Sequence, residues 1–388
     1  MVFKSSIQRE LDKFYKAVDD ADFNIRKVTK GAFSKARKLV DPYAFSRLNE
    51  VAVNTFYEEA PYYNWLGHRL LACDGSRLVL PNHPTIIEDF GQHNFGPKAD
   101  SPRSLALCSL LYDPLNLVSL DAQIDKYASS ERDLLVRHLE KTKPGDLLLL
   151  DRGYGCFWLF FLLAAKGVEF CVRMKEDWWL EANEFLKSGE TERIVEFTLP
   201  KKDYSKLAGY EHIINKKIKC RLINVTLENG ETEILCTSLL DPVNYKIEGF
   251  GMLYNVRWNE EEAYKLLKCR AELENFSGKT SIAVKQDFQA KIFSMTLCAI
   301  YAHPIEEKVR EEFKADEKRK HEQKINRTSA LSMLQSLLVP IFLKKKFKKA
   351  MEAFDDIVYK TREIIRPNRK NPRNHKPKKL YNMVYKGL

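Results

Sequence analysis

Three carboxylates stand where a chain of this pattern could place phosphoryl-transfer chemistry. Asp74 closes the apolar run LLAC at 70–73, and Asp151 closes LLLL at 147–150. Glu261 lies in the charged stretch YNVRWNEEEAYKLLK at 254–268. Open α/β sheets present their chemistry beyond the carboxyl ends of their strands. Converging carboxylates bind hard cations through oxygen. Two such ions about 3.5–4 Å apart activate water and stabilise the leaving oxygen of an in-line displacement at phosphorus. Each residue also has a plainer explanation. Asp74-Gly75 is a turn dipeptide, Asp151 can pair with Arg152, and Glu261 is one of three adjacent glutamates on an acidic helix face.

The spacing around Glu261 narrows these alternatives. Tyr254, Arg257, Glu261 and Lys268 are separated by two, three and six residues. On one continuous helix, positions 254, 257, 261, 265 and 268 share a face. A carboxylate flanked there by a phenol, a guanidinium and an ammonium suits a metal ligand beside a gripped phosphate. The same pattern also suits an ordinary helix with ion pairs four residues apart. Arg173 and Lys175 end the run VEFCVRMK and are candidates for phosphate contact. Trp178 and Trp179 follow, as stacking platforms or as core. His83 and His93 have no Cys or His partners at zinc-ligand spacing, so no zinc site is expected.

The elements that must carry these residues follow from periodicity. Helices are expected at 5–18, at 31–40 behind Thr29 as cap, and at 44–58. Lys35, Arg37 and Lys38 are placed on the polar side of the second, in a basic bundle that touches DNA or in a packing appendage. Short strands at 70–73 and 78–80 flank a turn at Asp74-Gly75-Ser76. Strands at 105–111 and 117–121 meet at Asp113-Pro114. A helix at 131–141, a doubly buried strand at 146–150, a helix at 156–166 and a strand at 168–174 complete an α/β layer. Residues 176–250 are expected as a β-rich insertion, with Asn229-Gly230 turning a hairpin. A long helix over 254–273 and further helices reach the tail. The domains are therefore 1–66 (helical, DNA-binding), 67–175 with 251–300 (catalytic), 176–250 (insertion) and 301–388 (helical, with a basic tail).

Composition bounds the partners. The chain has 388 residues, 44% hydrophobic and 30% charged, which excludes a disordered or fibrous chain. The longest apolar run, CFWLFFLLAA at 156–165, is about half of a membrane span. No signal peptide or membrane partner is expected. Eight cysteines lie at least 15 residues apart, which points to core thiols in a reducing compartment. The net charge of +11 divides into +4 over residues 1–50, −5 over 51–300 and +12 over 301–388. Residues 366–388 hold eight Lys or Arg and no acid. Such segments neutralise phosphates and release counterions, or serve only as solvated tails.

With those residues in place, the chain resembles the DDE transposases of insertion-sequence family four. The Tyr-x2-Arg-x3-Glu-x6-Lys spacing is that family's signature, and Trp258 follows the arginine as is common there. ACDGS resembles its first-aspartate segment, LLLLDRGYG its second, and LENFSGKTSIAVKQDFQAKI the continuation of its catalytic helix. The position before the glutamate, often apolar in the family, is Glu260, so Glu260, Glu261 and Glu262 compete, and the signature spacing selects Glu261. The resemblance implies a ribonuclease H-like mixed sheet flanked by helices, with the β-rich insertion between the second aspartate and the glutamate. It implies Asp74, Asp151 and Glu261 as ligands of two Mg²⁺ ions, which Mn²⁺ can replace. Tyr254, Arg257 and Lys268 would grip phosphates, and Trp258 would stack on an extruded base or pack in the core. The implied activity is cut-and-paste transposition through a hairpin intermediate, by a homodimer on double-stranded DNA in the bacterial cytoplasm. The other readings are a structure-specific nuclease of the same fold and a domesticated DNA-binding derivative.

Overall fold

The computed structural model describes residues 6–94, 102–175, 179–226, 232–316, 318 and 320–365. Helices α1 (Ile7–Asp19), α2 (Lys30–Arg37) and α3 (Ala44–Glu59) precede strand β1 (Leu70–Val79). Next come α4 (Pro84–Phe90), β2 (Gln92–His93), β3 (Arg103–Asp113) and β4 (Val118–Lys126). Helix α5 (Glu131–His138), β5 (Leu147–Leu150), α6 (Phe157–Ala165) and β6 (Glu169–Arg173) alternate. They lead to α7 (Leu180–Ser188), β7 (Glu192–Thr198), α8 (Glu211–Ile214), β8 (Lys217–Thr226) and β9 (Thr232–Thr237). Helices α9 (Glu248–Asn255), α10 (Trp258–Cys269), α11 (Ser281–Ala315), α12 (Arg327–Phe342) and α13 (Phe347–Lys360) follow.

Among the described residues, nine strands form one mixed sheet in the order β2-β3-β1-β5-β6-β9-β8-β7, with β4 on β3. Strand β5 lies parallel to β1 on one side and to β6 on the other. Its four leucines are fully buried, as their unbroken apolar run requires of a strand covered on both faces. Strands β3 and β4 beyond β1, with β5 and β6 parallel to it, give the helix-flanked mixed sheet expected of the ribonuclease H-like class. The Asp113 carboxylate closes the link between β3 and β4 by accepting from the Leu115 and Asn116 amides at 2.9 Å.

Two local expectations are corrected. Asp74-Gly75-Ser76 is not a turn, because β1 runs unbroken from Leu70 to Val79. Gly75 has no positive φ; instead, a Cβ there would lie 2.4 Å from the Glu131 carboxylate, so the glycine makes room for that side chain. The strands of the β-rich insertion at 176–250 join the central sheet, where β9, β8 and β7 extend it antiparallel from β6. The β8–β9 ladder runs to Thr226 opposite Thr232, and Asn229-Gly230 lies outside the described residues. Finally, the long helix expected from 254 is broken after Asn255, as taken up below.

The chain divides into two compact units. One comprises Ala60–Ser76 and Leu107–Ala263, and holds the parallel heart of the sheet. The other comprises Met1–Glu59, Arg77–Ala106 and Tyr264–Leu388, and is largely helical. In the helical unit Thr29 caps α2 through the Ala32 amide, and the Phe56 ring meets His303 edge-on. Arg37, expected on the polar side, turns inward. It donates to Gln286 and Ser277 and pairs with Asp287 at 3.1 Å, tying α2 to α11. No helix among the described residues is long and apolar enough to cross a membrane.

Candidate active site

The site begins with the register of β1 against β5. Cys73 is the last residue of β1 paired with β5, opposite Leu150, the last residue of β5. Asp74 and Asp151 are the next residues on two parallel strands, which lie about 4.8 Å apart. On the far side of β5, Leu150 pairs with Val172, so Arg173 takes the corresponding place on β6. The two aspartates are held alike, each through an oxygen accepting from a nearby amide. Asp74 accepts from Gly75 at 2.8 Å and Asp151 from Gly153 at 2.7 Å. A Cβ at Gly153 would lie 2.9 Å from that Asp151 oxygen, so glycine permits the close turn. Burial pushes the Asp74 carboxyl up to about 6, with the charge of Asp151 adding to it and the Gly75 amide and Arg257 opposing.

The signature residues come from two helices. Tyr254 ends α9 and α10 starts at Trp258. Between them the amides of Arg257, Asn259 and Glu260 bond to carbonyls three residues back, those of Tyr254, Val256 and Arg257. A three-residue turn advances about 120° per residue, against about 100° in an α-helix. Arg257 still reaches both Tyr254 and Glu261, while Lys265 is exposed. Tyr254 is buried and its hydroxyl donates to the Leu150 carbonyl at 3.2 Å. Arg257 is buried between carboxylates, 3.2 Å from Glu261 and 4.0 Å from Asp74. Its guanidinium also lies 5.6 Å from the ring centres of Tyr254 and Trp258. Trp258 is 48% exposed, which excludes the core reading for it.

The extra winding has a consequence at the glutamates. Glu261 is half-buried, while Glu260 beside it is fully buried, and neither of its carboxylate oxygens has a well-formed hydrogen bond. Burial raises its pKa well above the usual carboxylate range, and the charge of Asp74 adds to the effect. Glu131 on α5, with its side chain against Gly75, is a further half-buried carboxylate raised by burial and by Asp151. Sequence reading did not single out Glu131. Its only trace was Gly75, taken there as a turn residue.

The remaining candidates scatter. Arg173 pairs with Glu233 on β9 at 2.8 Å. Lys175 lies just past β6 and is partly exposed. Lys268, in the helical unit, donates to the Arg77 carbonyl at 2.7 Å. Trp179 is core, buried among Phe157, Phe160 and Phe197, and Trp178 lies outside the described residues. His83 accepts from the Thr85 amide at the head of α4.

By donor type this cluster fits a hard divalent cation, since Asp74, Asp151 and Glu261 offer carboxylate oxygen. As they stand, no three His, Cys, Asp or Glu side chains among the described residues converge closely enough to hold one. Arg257, between Asp74 and Glu261, supplies the positive charge there.

Residues 65–297, more than half of the chain, match the transposase DDE domain, and the chain belongs to that family. Among curated proteins it is similar to the transposase InsG of insertion sequence element IS4 from Escherichia coli K12. The two are 25% identical over 244 residues, which is 62% of this chain and 53% of the relative. The chain thus spans about half the length of that protein. Among solved structures it can be laid on a piggyBac transposase synaptic complex with hairpin DNA, at a TM-score of 0.41 and 10% identity, covering 85% of this chain and 66% of the other. The NurA nuclease of Sulfolobus solfataricus gives a TM-score of 0.25 at 12% identity, over 59% and 86% of the two chains.

Proposed function

We propose that the chain is a transposase of the insertion-sequence family four type. It binds the ends of its element as a homodimer on double-stranded DNA and catalyses Mg²⁺-dependent strand cleavage and strand transfer through a hairpin intermediate. The observation that carries this reading is the register that puts Asp74 and Asp151 side by side, one residue past the paired ends of two buried parallel strands. Asp74, Asp151 and Glu261 are the residues that would hold the metal. When bound, two Mg²⁺ ions supply an activated water or 3′-hydroxyl and stabilise the leaving oxygen.

The other side chains do work of their own. Arg257 balances the buried carboxylates and is placed to exchange Glu261 for a phosphate oxygen, a charge-assisted contact of similar geometry. Tyr254 pins α9 to the end of β5, so the arginine that follows is fixed relative to Asp151. Trp258 offers an exposed indole beside Arg257, suited to stacking on a base that a tight hairpin forces out of the duplex. Arg173, Lys175 and Lys268 are assigned to phosphate contact, and Arg173 must leave Glu233 to make it.

The test is to incubate purified protein with labelled DNA carrying the ends of its element, with and without Mg²⁺. Nicked, hairpinned and opened ends should appear in that order. Cleavage of any branched DNA irrespective of sequence would favour the structure-specific nuclease. End binding without cleavage in either Mg²⁺ or Mn²⁺ would favour the domesticated derivative.

A further inference from the structure

The helical unit carries a charge cluster that the catalytic reading does not use. The segment that leaves the link between α12 and α13 and enters the first turn of α13 reads KKKFKK over 344–349, five lysines in six positions. Lys345, Lys346, Lys348 and Lys349 are exposed. Lys344 pairs with Asp20 at the end of α1, and Lys346 is close enough to help lower that carboxyl. Lys345, Lys348 and Lys349 have no ion-pair partner among the described residues. Lys345 has φ +52°, so the chain adopts a left-handed residue to make the tight link. That conformation is unfavourable for lysine, and no glycine or asparagine stands there to relieve it.

The neighbours do not suit a purely solvating surface. Phe342, Leu343 and Phe347 are each at least half exposed among the lysines, with Phe347 against the Tyr301 ring. The first turn of α13 contains no acidic residue. Its lysines therefore crowd the end of a helix where cations are disfavoured and anions favoured. The helix cannot give its apolar side to a bilayer, because Ala350, Phe354 and Val358 are buried within the unit. Exposed, closely spaced ammonium groups without carboxylate partners suit a phosphodiester backbone.

We propose that the 344–349 segment is a binding surface for the backbone of duplex DNA, a second DNA contact separate from the residues of the catalytic sheet. It rests on the transposase reading and adds to it the surface on which the helical unit meets DNA.

The test uses the full chain with Lys345, Lys346, Lys348 and Lys349 all changed to alanine, and a control with Lys201→Ala and Lys202→Ala. Duplex affinity is measured against KCl concentration, and unfolding midpoints are recorded for both. The slope of log affinity against log salt should fall by about 3.6 units if all four lysines contact phosphates, at about 0.9 per lost contact. Affinity near 0.1 M salt should fall at least tenfold, with the midpoint unchanged or raised and the control unaffected. An unchanged slope with normal DNA binding overturns this inference and leaves the catalytic reading intact. Absence of duplex binding in the parent protein overturns both. Unchanged DNA binding together with lost binding to anionic phosphatidylglycerol vesicles assigns the surface to a membrane and also overturns it.

Discussion

Asp74 and Asp151 come together because an apolar run ends at the same register on two neighbouring parallel strands, and that convergence is legible before any coordinates exist. LLACD and LLLLD each announce a buried strand with a carboxylate at its end, and only their alignment had to be learned. The choice among Glu260, Glu261 and Glu262 was less legible. It depends on a turn of three-residue hydrogen bonds around Arg257, where no proline or glycine marks a break. The same turn buries Glu260 without a well-formed hydrogen bond. Glu260→Leu should therefore stabilise the fold by about 1–3 kcal/mol at neutral pH, since a carboxyl buried without a well-formed hydrogen bond leaves the interior. The check is a thermal melt, and a lowered midpoint would show that Glu260 contributes an interaction the fold needs. Trp258→Ala should leave the melt unchanged, because the ring is half in solvent. In a gel of reaction products it should spare the first nick and slow hairpin formation. Loss of every product at once would exclude a role confined to the extruded base.

At the scale of elements, the sequence is legible where its signals are local chemistry and opaque where they depend on distant partners. Thr29 as a cap and Asp113-Pro114 as a turn are statements about neighbouring atoms, and both hold. Arg37 looked like one more cation on a polar helix face, because its partners Ser277, Gln286 and Asp287 lie some 240 to 250 residues away. The joining of β9 to β6 was hidden for the same reason, since both strands are unremarkable until paired. Arg37→Ala should destabilise the helical unit by about 3 kcal/mol, the range for removing one partner of a buried pair. Thr29→Ala should cost about 1 kcal/mol. Chemical denaturation of both variants measures the difference. Equal effects would mean that the Arg37 network contributes no more than a helix cap.

For the whole molecule, a buried lysine gives stability a pH dependence that can be worked out in sign. Lys291 on α11 donates to the Glu272 and Asn275 carbonyls at 2.7 and 3.0 Å. Burial brings its pKa down to about 8, with the charges of Asp287 and Glu272 opposing. Between about 8 and its ordinary value of 10.5, the unfolded chain binds the proton more tightly than the folded one. Stability attributable to Lys291 therefore rises with pH across that window. Lys291→Met should lack that rise, and matched denaturation curves at pH 7.5 and 9.5 should diverge accordingly; parallel curves would refute it. The central claim, that Asp74, Asp151 and Glu261 form the reacting centre of a transposase, has its most direct test in one experiment. End-DNA cleavage and end-DNA binding are measured side by side for the parent protein and for Asp74→Asn, Asp151→Asn and Glu261→Gln. Each variant should bind within a few-fold of the parent and give no nicked product in Mg²⁺. Nicking at the parental rate by any one of the three would contradict the assignment.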